Sequence, residues 1–242
     1  GTTDIDHNED IDIEAGISDQ EVDYLLKAFN SQFPSNSLKR SDVLSTWAGV
    51  RPVIGAEKSK DPSKERRDHA VWSDNGLITV SGGKLTTFRL IALDALAAAK
   101  DNLPAAKEIT DDRVFLTPKV SAETLSPKNI SWAQRLLGRY GEKAIELLNE
   151  SSKEEHDNLD ATEFSLAECR WAIKYEAVEH LDDLMLRRTR LGMCLPNGGS
   201  TLYPALKELF LSNHSWDEER WQKEVTRYEK IWRQYYSLPS NT

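Results

Sequence analysis

Sulfur is scarce in this chain: its 242 residues include two cysteines and two methionines. Cys169 and Cys194 are too few for a disulfide framework or a cysteine-rich metal cluster, so both are expected to be buried thiols in a reducing compartment. No apolar run reaches the roughly 18 residues that a bilayer crossing requires, and no charged start with an apolar core marks a secretory leader. Basic excess is missing as well. Lys and Arg total 31 against 40 Asp and Glu, a net charge of −9, which argues against a nucleic-acid-binding surface and leaves room only for local basic patches. Gly-x-Gly-x-x-Gly does not occur, so the chain holds no recognisable dinucleotide-binding βαβ unit of its own. No fixed-period repeat is present.

What is present is concentrated at Val80-Ser81-Gly82-Gly83-Lys84-Leu85-Thr86-Thr87-Phe88-Arg89. Before it, Gly76-Leu77-Ile78-Thr79-Val80 is a short β-branched run opened by the turn signal Asp74-Asn75-Gly76. After it, Leu90, Ile91, Leu93, Ala95 and Leu96 favour helix. The glycines therefore fall where a strand passes into a helix. Backbone lacking Cβ can approach a ligand there, and the N–H groups of a first helical turn attract negative charge. Lys84, Thr86 and Thr87 add an ammonium and two hydroxyls.

Along the rest of the chain, Asp4 to Glu14 is acidic and reads as an exposed loop. Its Asp4, Asp6 and Asp10 fail the EF-hand spacing, so no metal is expected. A capping box at Ser18 to Glu21 opens a helix carrying Val22, Leu25, Leu26, Phe29 and Phe33, which Pro34 stops. Ser41 to Val50 reads as a short helix or strand, and Ala56 to Lys64 as a loop. Ala70 to Ser73 and Leu77 to Val80 form a hairpin. From Ser121 the pattern turns helical: an N-cap at Ser126-Pro127, a second helix around Ala144 to Leu148, and a capping box at Ser165 to Glu168 opening a helix that runs to His180. A last helix starts at Ser215, with Trp221, Val225, Tyr228, Trp232 and Tyr235 on its apolar face. His7, His156, His180 and His214 read as surface or capping groups. Arg187, Arg188 and Arg190 are expected to cover the core and bond helix-end carbonyls.

Gly-Gly-Lys-Leu-Thr-Thr-Phe-Arg closely resembles the late flavin-contact segment of FAD-dependent glycerol-3-phosphate dehydrogenases. Trp47-Ala48-Gly49-Val50-Arg51-Pro52 resembles that family's Gly-Val/Leu-Arg-Pro segment, and Arg66-Arg67-Asp68-His69 its Ser/Thr-Arg-Asp/Glu-His/Tyr segment. Gly1-Thr2-Thr3-Asp4 is similar to a strand-end motif that precedes both, and Leu184 to Thr189 to a Leu-x-x-Arg-Arg-Thr string in the C-terminal helical domain. With the dinucleotide fingerprint absent, the chain reads as the C-terminal portion of a longer flavoprotein.

The resemblance implies an α+β fold, mostly helical: residues 1–104 as the C-terminal part of an FAD and substrate domain, 105–120 as a linker and 121–242 as an all-helical domain. It implies FAD in the parent, with Gly82, Gly83, Lys84, Leu85 and Thr86 at the flavin. It implies that Arg51, Arg67 and Lys84 bind glycerol 3-phosphate, the fork of an arginine suiting a phosphate dianion. No catalytic base is assigned. His69 reads as a structural or supporting group, and the base is expected outside these residues. Electrons are expected to pass to quinone from a parent that lies in the cytoplasm, peripheral to the inner membrane through regions outside this chain. The fragment alone is expected to be inactive and to lose FAD, and an incomplete sheet edge to allow a dimer. Two rival readings are an oxidase using oxygen on the same substrate and a helical module for oligomerisation or protein binding.

Overall fold

The computed structural model describes residues 3, 5–50, 68–104, 119–126 and 129–239. Arg51, Arg67, the expected loop at Ala56 to Lys64 and most of the linker lie outside them. The architecture is mostly helical, with two strands among the described residues. The chain divides into two compact units: residues 14–48 with 117–242, and residues 2–13 with 49–116.

The larger unit is built from α1 (Asp19–Gln32), α3 (Ala122–Leu125), α4 (Ile130–Tyr140), α5 (Lys143–Asn149), α6 (Leu166–Tyr175), α7 (Leu191–Cys194), α8 (Tyr203–Asn213) and α9 (Glu218–Ile231). Residues 14–48 cluster with it through hydrogen bonds to distant parts of the sequence. Thr46 N–H donates to the Tyr236 carbonyl at 2.8 Å, Ser45 Oγ to the Met193 carbonyl at 2.8 Å, and Tyr236 Oη to Glu14 Oε1 at 2.7 Å. Those bonds tie the N-terminal segment to the end of the chain.

The core gathers Cys169 and Ile173 of α6, Leu191 of α7, Leu206 and Phe210 of α8, and Trp221, Val225 and Tyr228 of α9, around Leu184 and Met185. Phe210 and Trp216 stack with ring centroids 4.1 Å apart. A second cluster, Ala133, Leu136, Leu137 and Ala144, joins α4 to α5. Leu147, Ala167 and Trp171 link α5 to α6. Burial of these side chains is the main favourable term, at about 25 cal/mol per Å² of apolar surface removed from water.

Among the described residues, the buried carboxylates of Glu168, Asp182 and Glu224 are each paired with arginine. Glu168 is fully buried, yet it closes the Ser165 capping box, accepts a fork from Arg135 at 2.8 and 3.1 Å, and accepts from Tyr140 Oη at 3.2 Å. The helix N-terminus and the guanidinium together offset the cost of desolvating it. Between α6 and α7, residues Asp183–Arg188 form a π turn in which Thr189 N–H and Oγ1 both donate to the Leu184 carbonyl, at 3.0 and 2.7 Å. Gly192 packs closely on α9: a Cβ there would sit 2.1 Å from Tyr228 Oη, so a larger residue would displace the hydroxyl from its bond to the Gly198 carbonyl.

Several local expectations are corrected. Asn129, not Ser126, caps α4, and Ser126 instead closes α3. Asp217, not Ser215, caps α9. α6 stops at Tyr175 before Ala177, whose φ of 50° cannot continue a helix. Ser41 to Val50 is irregular apart from a 3-10 turn at Arg40–Asp42. Cys169 is buried but Cys194 is exposed, because α7 presents Cys194 away from the core that holds Leu191. The predicted capping boxes at Ser18 and Ser165 are both present.

The smaller unit contains β1 (His69–Asp74) antiparallel to β2 (Leu77–Gly82), and α2 (Phe88–Ala98). The Asn75-Gly76 turn carries positive φ at both residues, as a two-residue hairpin requires. No described residue of β1, β2 or α2 is fully buried, and Trp72, Leu77, Val80, Leu85, Phe88 and Leu90 are exposed. A lone hairpin with one helix buries little apolar surface by itself.

Candidate functional site

The glycine turn begins where β2 ends. His69 opposes Gly82 in the strand register, and Gly83 N–H donates to the Asp68 carbonyl at 3.3 Å. Gly82 and Gly83 have φ of +77° and +87°, a region that costs other residues strain. Space closes the case at Gly83: a Cβ there would lie 2.5 Å from Ile91 Cδ1 and 3.3 Å from His69 Cβ. The turn is thus pressed between β1 and α2.

The regular helix does not start directly at the glycines. A 3-10 turn, Leu85–Thr87, intervenes, and α2 begins at Phe88 with no side-chain cap. Thr87 Oγ1 accepts from Lys84 N–H at 3.3 Å and donates to the Lys84 carbonyl at 3.0 Å. One hydroxyl and one N–H expected to face a ligand are therefore engaged inside the turn. Lys84, Leu85 and Thr86 remain exposed, Leu85 at 88%. An exposed ammonium, a hydroxyl and backbone that the glycines keep slim make a donor set suited to the electron-rich pyrimidine edge of a flavin. The residues present fit that group as one wall of a site.

Of the expected substrate residues, Lys84 is described at this turn, whereas Arg51 and Arg67 lie outside the described residues. His69 adds a contact that residue reading did not find. Its Nε2 lies 2.7 Å from Asp94 Oδ2 on α2, a link between strand and helix. The signal for it was indirect, since Asp94 follows Ile91 by three helical positions and Ile91 itself packs on the glycine turn.

A second polar cluster lies in the larger unit. His180, Asp182 and Glu224 place ligand atoms within 4.8 Å of one another. Guanidiniums already occupy it. Arg187 Nη1 donates to Asp182 Oδ2 at 2.6 Å, Arg227 pairs with Asp182 Oδ1, and Arg220 pairs with Glu224 at 2.7 Å. His180 Nδ1 and Leu181 N–H also reach Glu224, at 3.0 and 3.1 Å. Burial pushes the Asp182 carboxyl up, but hydrogen bonds from Arg187 and Arg227 outweigh it and hold the group below the usual aspartate range. Three cations around two carboxylates make a structural ion network and leave no excess negative charge for a metal. Arg188 behaves as anticipated, its Nε donating to the Glu176 carbonyl at 2.6 Å.

Residues 116–221 match the family described as the C-terminal domain of alpha-glycerophosphate oxidase. Over 96% of its length the chain is 30% identical to the aerobic glycerol-3-phosphate dehydrogenase of Bacillus subtilis, covering 45% of that protein. It is 31% identical to the glycerol-3-phosphate dehydrogenase of Mycobacterium leprae over 94% of this chain and 41% of the relative. Residues 116–221 are the C-terminal domain of that family, and nearly the whole chain corresponds to the C-terminal part of glycerol-3-phosphate dehydrogenases. The fold agrees: a glycerol-3-phosphate dehydrogenase from Bacillus halodurans, solved in complex with FAD, superposes with a TM-score of 0.68 at 26% identity, over 97% of this chain and 48% of that one. The chain spans less than half the length of these dehydrogenase relatives.

Proposed function

We propose that this chain is the C-terminal portion of an FAD-dependent enzyme that oxidises glycerol 3-phosphate to dihydroxyacetone phosphate. What carries the reading is the 30% identity with the B. subtilis dehydrogenase across nearly the whole chain, the matched stretch including the Gly82–Thr86 turn. When bound, FAD supplies the hydride acceptor. In this reading Gly82, Gly83, Lys84, Leu85 and Thr86 line the flavin edge. The slim glycine backbone admits the ring, and Thr86 and the Lys84 ammonium place positive potential where electron density accumulates. Arg51 and Arg67 hold the substrate phosphate, which positions the C2 hydroxyl and its hydrogen. Lys84 serves substrate and flavin from the same turn.

The exposed apolar residues of β1, β2 and α2 support a unit completed by further chain, which would grip the nucleotide part of FAD. We propose quinone as the parent's electron acceptor, a peripheral position at the inner membrane, and a dimer formed through the hairpin edge. No helix among the described residues is long and apolar enough to cross a membrane.

The oxidase description of the matched domain favours a second reading, in which oxygen takes the electrons. Oxygen uptake by the purified full-length protein with glycerol 3-phosphate separates the two: rapid uptake without quinone supports the oxidase, and turnover only with quinone supports the dehydrogenase. Substrate assignment is tested by Arg51→Ala, Arg67→Ala and Lys84→Ala in that protein. KM for glycerol 3-phosphate is expected to rise at least tenfold in each, as loss of a charge-assisted phosphate contact requires. Unchanged KM in all would remove these residues from the substrate site.

A further inference from the structure

We infer that His69 and Asp94 are a positioning pair that holds the Gly82–Lys84 turn in its working shape, an inference that rests on the proposed placement of this turn at the flavin. Three contacts converge on the turn. From the strand side, Gly83 N–H is bonded to the Asp68 carbonyl and His69 opposes Gly82. From the helix side, Ile91 Cδ1 stands where a Cβ of residue 83 would fall. The third is the bond from His69 Nε2 to Asp94 Oδ2, 2.7 Å, which joins β1 to α2 directly and closes a ring around the glycines.

α2 begins without a side-chain cap, and no residue of it is buried. Two consecutive glycines make the turn between them easily deformed. A polar link spanning strand and helix removes that freedom. It is no ordinary surface ion pair of neighbouring helical turns, since it bridges two elements and the His69 side chain is only 24% exposed.

The consequence falls on Lys84. Its Cα follows the glycines directly, and its backbone is locked to Thr87 at the head of α2. Movement of α2 relative to β1 therefore carries the ammonium with it. His69 need not touch substrate or flavin to matter; it acts through Lys84 and the turn. A misplacement of about 1 Å in such a group costs up to roughly 100-fold in rate.

The test uses the full-length holoenzyme with His69→Ala, His69→Gln, Asp94→Ala and the His69→Ala/Asp94→Ala double variant. Gln keeps an N–H donor near the position of the imidazole Nε2. The flavin absorbance band, the affinity of the apoenzyme for FAD, the rate of flavin reduction at saturating glycerol 3-phosphate and the melting temperature are measured for each. His69→Ala and Asp94→Ala are expected to shift the flavin band and to slow reduction by about 10- to 100-fold. The double variant should be no slower than either single one, because both remove the same link, and Gln should restore most of the rate and the band. The pair is overturned if the alanine variants keep the wild-type band and rate, if Gln is no better than Ala, or if the two losses multiply. Asp94 is 61% exposed, so Asp94→Ala reports even where a change at His69 impairs folding. A wild-type protein without flavin, or with flavin that glycerol 3-phosphate does not reduce, overturns the underlying reading and this inference with it. A wild type reduced normally beside an unaffected His69→Ala overturns the pair alone.

Discussion

Thr46 Oγ1 donates to the Ser237 carbonyl at 3.0 Å across 191 positions of sequence, beside the Thr46 N–H bond to Tyr236. Residues near both ends of the chain are thereby held as one unit, with Thr46 buried at 8% exposure. Thr46→Val keeps the volume and the backbone bond but leaves the Ser237 carbonyl without this donor. It is expected to cost about 1–3 kcal/mol, read from urea unfolding of the chain. A cost near zero would mean that the segment around Thr46 is not stabilised by this side chain.

Gly83→Ala combines positive φ with a 2.5 Å approach to Ile91 Cδ1. About 1–3 kcal/mol of destabilisation is expected from the strained backbone alone. Adding Ile91→Ala removes the steric part and not the strain, so the double variant should recover part of any larger loss. Full recovery would place the requirement for glycine in packing and not in φ.

Arg135→Ala leaves Glu168 charged, fully buried and short of its fork. Breaking such a pair from one side costs roughly 3–5 kcal/mol. Replacing both, Arg135→Met with Glu168→Gln, should cost less than the single truncation. If the single change proves the milder one, Tyr140 and Ser165 suffice for Glu168 without its arginine.

The Asp182 carboxyl is held below its ordinary value of 3.8 by Arg187 and Arg227, against the opposing effect of burial. Its contribution to stability is therefore fully present above that ordinary value and is lost as pH falls through the lower folded-state value. Asp182→Asn should flatten the acid limb of the stability curve while lowering stability at neutral pH. An acid limb identical to wild type would assign acid unfolding to other carboxylates.

How much of this was legible beforehand depended on the range of the determining contact. The Ser18 and Ser165 capping boxes, the Asn75-Gly76 hairpin and the apolar face of Trp221, Val225 and Tyr228 were readable because each is set by residues within a few positions. The placement of residues 14–48 was not, since it follows from hydrogen bonds to Met193, Tyr236 and Ser237 that no local pattern announces. The end of α6 at Tyr175 was missed because Ala177 adopts a left-handed conformation for which alanine has no preference. At the candidate site the glycine turn and Lys84 were visible as a motif. The His69 link to Asp94 was not, because register and helix phase together bring the two residues into contact.

Exposure separates the two thiols. Cys194 is exposed, while burial raises the Cys169 thiol pKa far above its usual range. A thiol reagent should label the native chain once, at Cys194, and twice after denaturation. Two rapid equivalents in the native chain would contradict the packing of α6.

The central claim is met most directly by adding glycerol 3-phosphate anaerobically to the purified full-length protein and following the flavin absorbance. The account predicts a bound flavin that bleaches on substrate addition, and a 242-residue chain that retains no stoichiometric FAD after gel filtration. A full-length protein that carries no flavin, or whose flavin is indifferent to glycerol 3-phosphate, would contradict it.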